Sequence, residues 1–132
     1  MPIIAEKVKT KDNEEPLSEW LQVAVNGFQE IKKSWGCTTL SALHKDGSLS
    51  MKTLGKLDPR DPDPSIGMET VVMMIGKLMN MAPLLFSDSD LVRVQSTLTS
   101  VLARVVAASV PLTENDRAKA MERRRIRYKH NI

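Results

Sequence analysis

The chain is short of the residue types that enzymes and metalloproteins rely on. Its one cysteine, Cys37, rules out an intramolecular disulfide and fits a reducing intracellular setting, cytoplasmic or nuclear, better than secretion. His44 and His130 are the only histidines, and with Cys37 they match no zinc-ligand spacing. Asp58, Asp61 and Asp63 lack the glycine and closing glutamate of a calcium loop. No Gly-x-Gly-x-x-Gly or Walker sequence occurs, and Gly76-Lys77 lies inside a helical pattern rather than in a strand-to-helix turn. A nucleophilic cysteine needs a base within reach and a third group to orient it. Cys37 has only His44, seven residues on, so it reads as a buried or tolerated thiol. The carboxylate pairs Glu14-Glu15 and Asp88-x-Asp90 fall at helix starts, where capping and the helix dipole account for them. No enzymatic activity, cofactor or metal is expected.

Targeting signals are equally scarce. Residues 1–10 contain Glu6, Lys7 and Lys9 with no apolar run, and Pro2 stands where myristoylation needs glycine, so neither a signal peptide nor that anchor is expected. Two apolar stretches approach the roughly 20 residues that span a bilayer. Glu69, Lys77, Asn80 and Pro83 interrupt the first, and Arg93, Gln95 and Arg104 the second, so no membrane role is expected.

What the chain does have is helical periodicity. Its 132 residues, 42% of them hydrophobic, suffice for one domain with a real core. The expected fold is all-α, a compact bundle of about four to six helices, with a short β-hairpin around Asp46-Gly47 as the local alternative. Residues 1–15 read as a flexible arm, 16–112 as the helical core with a Pro/Asp-rich connector at 58–64, and 113–132 as a basic C-terminal helix.

Leu17, Trp20, Leu21, Ala24, Val25, Phe28, Ile31 and Trp35 follow the 3.6-residue period, with Pro16 at the start and Gly36 as a left-handed stop. Both tryptophans lie on that stripe and are expected to be core or interface anchors rather than base-stacking residues. Two short helices are expected next. Thr38 or Thr39 caps the first and Ser48 the second, with the join at Asp46-Gly47. Ser65 is expected to cap a Met-rich helix that stops before Pro83, and Ser87 or Asp88 to cap another that Pro111 ends.

Met68, Met73, Met74, Met79 and Met81 crowd the first of these two helices. Such a stripe serves either as gap-filling core or as an adaptable self-association surface. Its apolar residues run nearly all round, whereas Arg93, Gln95, Ser96, Thr99, Ser100 and Arg104 give the second helix a solvent face. Met73, Met74 and Met81 are therefore the expected contacts of a homo-oligomer.

Charge is unevenly spread. Of the net +3, the segment 113–132 carries seven basic and three acidic residues, +4 in all, which leaves −1 for everything before it. Lys119, Arg123 and Arg127 share an i,i+4 line, Arg117 and Arg124 flank it, and Met121 with Tyr128 forms a thin apolar seam. The planar fork of arginine suits phosphate oxygens, and arginines outnumber lysines here five to two. Arg117, Arg123, Arg124, Arg125, Arg127 and Lys129 are expected to contact phosphates and Tyr128 to stack on a base. The expected function is nucleic-acid binding, RNA or single strands ahead of a specific duplex site, by a small self-associating protein of the kind a virus uses in structural or accessory roles. The alternative is an interaction module whose basic tail docks an acidic protein partner.

Overall fold

The apolar stripe read along residues 17–35 becomes α1, Glu19–Trp35. In a computed structural model that describes residues 17–130, it is followed by α2 (Leu40–Gly47), α3 (Met51–Gly55), α4 (Met68–Leu85), α5 (Asp88–Ala108) and α6 (Glu114–His130). These are the elements among the described residues, and they make the fold an all-α bundle. No strand forms at Asp46-Gly47. The arm expected over 1–15, and Pro16, lie outside the described residues.

α1 ends as its glycine predicts. Gly36 adopts φ 87°, Cys37 N–H donates to Lys32 O at 2.9 Å, and Gly36 N–H donates to Lys33 O at 3.1 Å. That is a Schellman closure, and a left-handed residue there costs glycine nothing. Thr39 caps α2 by accepting from Ala42 N–H at 3.1 Å. Ser48 does not cap α3 as expected. It takes the left-handed position after α2 at φ 55°, and Ser50 caps α3 instead, accepting from Thr53 N–H at 3.3 Å.

Two other boundaries shift for local reasons. Ser65 is not the cap of α4, because its N–H (2.9 Å) and its hydroxyl (2.7 Å) both donate to Asp63 Oδ1, so the turn is used up two residues early and Gly67 stands at the N-cap. α4 also runs through Pro83 to Leu85 rather than stopping before it. Proline removes one donor. Pro83 is exposed and near the helix end, and Phe86 N–H restores the ladder by donating to Ala82 O at 3.0 Å.

The core is built on α5. Val94, Leu98, Val101 and Val105 are all but inaccessible and face α1 on one side and α4 on the other. α1 and α5 run antiparallel, since Gly27 meets Val101 while Ser34, further along α1, meets Arg93. A Cβ at Gly27 would collide with Val101 Cγ1, so glycine is what lets these two backbones approach. α4 turns back on α5 through Phe86 and Ser87, and Phe86 packs edge-on to Trp35 with ring centroids 5.0 Å apart. Trp35 is buried and Trp20 is half-buried against the same core, as anchors. The Pro/Asp connector is a surface loop of this one core: Leu57 before it and Ile66 after it are both buried. Asp63 N–H donates to Lys56 O across it at 2.9 Å.

α1 and α5 are also joined at their rims. Arg104 forks onto Glu30 at 2.7 and 3.0 Å, and that guanidinium holds the Glu30 carboxyl below the usual glutamate range against a smaller opposing effect of burial. Arg93 donates to Asp90 at 2.9 Å and to Ser34 O at 3.0 Å, one of the carbonyls that the end of α1 leaves without an intrahelical partner.

Candidate nucleic-acid interface

α6 differs from the five helices before it. From Glu114 to Lys129 every residue is exposed, so it buries no face against the bundle. An isolated helix of about this length is marginal in water, and what holds it must be local. The local terms are visible. Thr113 and Asp116 form a reciprocal capping box, with Asp116 N–H donating to Thr113 Oγ1 at 3.0 Å and Thr113 N–H donating to Asp116 Oδ2 at 3.1 Å. Glu114 and Asp116 lie in the first turn and Arg127 and Lys129 near the last, the order the helix dipole favours.

The predicted phosphate contacts all fall on this helix, with three different surroundings. Arg125 is tied to Glu122 one turn back. Arg124 lies over the Tyr128 ring, 5.4 Å from its centroid. Arg117, Lys119, Arg123, Arg127 and Lys129 form no ion pair among the described residues. Tyr128 and Met121, 56% and 62% exposed, lie on one line with Arg117 and Arg124 at spacings of four, three and four residues, and nothing among the described residues covers that line. Arg125 and Lys129 border it on one side, Arg123 and Arg127 on the other. The cations therefore surround the helix instead of sharing the single face traced by Lys119, Arg123 and Arg127.

The three methionines expected at an oligomer interface part company. Met74 is 5% exposed and belongs to the chain's own core, so it offers nothing to a second copy. Met73, one residue back, is 70% exposed, and Met81 is half-buried against the core. The reason is the helix period: α4 turns Val71, Met74, Ile75, Leu78 and Ala82 inward and Met73 with Leu84 outward. The solvent face of α5 is also less polar than its composition implies. Arg93 and Arg104 reach sideways to α1, which leaves Val92, Ser96, Thr99, Ala103, Val106 and Val110 as an exposed, uncharged stripe. α4 and α5 are long and apolar enough to cross a membrane by length and composition, yet each gives one face to the bundle core.

A groove of about 470 Å³ between α1, the start of α2, α3 and the connector is lined by Gln29, Lys32, Thr39, Met51, Asp58 and Arg60, among others. No single motif marks it, because its wall is drawn from four separate segments. Arg60 is spent on Asp58, with guanidinium contacts of 2.6 and 3.0 Å that hold the Asp58 carboxyl below its usual range. Burial first, and Asp46 second, push the Cys37 thiol up, the opposite of an activated nucleophile, and His44 Nδ1 is engaged with the Leu49 carbonyl.

Taken as a class, the fold and its surface are those of a small α-helical bundle carrying a separate polycationic helix. No protein-family model matches the chain, and neither does any curated protein or solved structure.

Proposed function

We propose that this chain binds nucleic acid, RNA in the first place, through α6, and that it self-associates through exposed apolar residues of α4 and α5. The observation that carries the reading is α6 itself: a capped helix with every side chain from Glu114 to Lys129 in solvent, and six cations with no acidic partner among the described residues. Like charges four residues apart, Lys119 with Arg123, Arg123 with Arg127 and Arg125 with Lys129, weaken a helix. Phosphates laid along it remove that penalty and release counterions, so affinity falls as salt rises. Met73, Leu84, Val92, Val106 and Val110 supply the apolar surface for self-association in place of Met74.

Native mass measurement of the full chain with and without a short RNA tests both halves at once. The expected result is an oligomer of the free chain and a complex with RNA that polyglutamate does not displace. Deleting Glu122 to Ile132 is expected to abolish the complex and leave the bundle folded, because α6 contributes nothing to the core. Undiminished RNA binding by the truncated chain removes the α6 reading. A monomer at high concentration removes self-association, and displacement by polyglutamate favours an acidic protein partner.

A further inference from the structure

We infer that Arg124 and Tyr128 form a base-stacking platform, which makes unpaired nucleotides the ligand class of α6; the inference rests on the nucleic-acid reading proposed above. Tyr128 is the only tyrosine of the chain and, 56% exposed, it stands in solvent where an aromatic ring has no packing role. The Arg124 guanidinium, 5.4 Å from the ring centroid, covers one side of it and orients it. Its remaining face is the size and character of surface on which a base stacks. Toward the N-terminus the same line continues through Met121 to Arg117, so one further guanidinium lies about three turns below the ring. Cations border the line on both sides, Arg125 and Lys129 on one and Arg123 and Arg127 on the other, within reach of the phosphates that flank a stacked base. A duplex cannot use this arrangement. Its bases present only their edges in the grooves, and their faces are taken by one another.

Fluorescence anisotropy on the full chain, at one fixed salt concentration, tests the inference with three ligands. These are a short unpaired RNA, the same RNA annealed to its complement, and an abasic strand of equal length and charge. The unpaired RNA is expected to bind about tenfold more tightly than the other two. Tyr128→Ala is expected to erase that margin and Tyr128→Phe to keep it, and the exposure of Tyr128 makes both variants compatible with an intact bundle. Equal affinity for all three ligands, or a margin that survives Tyr128→Ala, overturns the platform and leaves α6 as a phosphate-binding helix. Tighter binding of the annealed form overturns it in favour of a duplex groove. No affinity for any of the three overturns the α6 reading itself, and the platform with it.

Discussion

α5 and α6 follow one another in the chain, 21 and 17 residues long, and they are helices for different reasons. α5 has no side-chain cap at Ser87, yet it carries the centre of the core through Val94, Leu98, Val101 and Val105. α6 buries nothing and has a complete capping box. A helix with a packed stripe can neglect its ends, because tertiary burial outweighs a cap by several-fold. A helix without one must rely on them. α6 nevertheless retains rows of like charge that oppose its own formation. That repulsion is a cost to α6 which no packing against the bundle offsets among the described residues.

The sharpest way to test the contrast is to remove one apolar side chain from each helix. Leu98→Ala opens a void at a fully buried position of α5 and is expected to cost about 2–5 kcal/mol, read from the midpoint of denaturant unfolding. Met121→Ala, on the most apolar line of α6, is expected to stay within about 0.5 kcal/mol. A comparable loss at Met121 would mean that α6 packs on a surface after all.

A second test asks how closely α5 is approached, and its sign carries the answer. Glycine to alanine inside a helix ordinarily gains up to about 1 kcal/mol. At Gly27 the new methyl would run into Val101, so Gly27→Ala is expected to lose about 1–3 kcal/mol in the same unfolding measurement. Gly76→Ala on α4, where nothing lies near the added Cβ, is expected to gain. Combining Gly27→Ala with Val101→Ala is expected to recover part of the loss beyond additivity. A gain at Gly27 would show that α1 and α5 stand further apart than the collision implies.

How much of this was legible beforehand follows the same division. Elements governed by local chemistry were readable: the stripe and glycine stop of α1, a threonine cap on α2 at Thr38 or Thr39, and a helix within 113–132. Features that depend on a neighbour were not. The surplus of methionines on α4 does not say which ones meet α5, and a shift of one position separates buried Met74 from exposed Met73. Arg93 and Arg104 lie exposed on α5, as expected, but their partners on α1 are distant in sequence and no spacing points to them. Ser65 looked like a cap until Asp63 claimed both of its donors. On α6 the charge and the i,i+4 meeting of Arg124 with Tyr128 follow from spacing alone. That the Met121 and Tyr128 seam stays uncovered does not, since spacing cannot reveal whether a partner helix exists.

The smallest expected effect isolates α6 most cleanly. Thr113→Ala removes the hydroxyl that accepts from Asp116 N–H and with it half of the capping box, a change worth about 1 kcal/mol of helix stability. In a packed helix such a loss is spread over the whole domain, because the cap and the core unfold together. α6 has no core to share it with. Far-ultraviolet circular dichroism is therefore expected to show helix content falling in Thr113→Ala, as a marginal helix moves toward coil. The unfolding midpoint followed by tryptophan fluorescence is expected to stay unchanged, since Trp20 and Trp35 both report on the bundle. An added polyanion should restore the lost helix content by relieving repulsion along Lys119, Arg123 and Arg127. If the tryptophan midpoint falls together with the helix content, α6 is coupled to the bundle, and its cations then have a structural partner to answer for them.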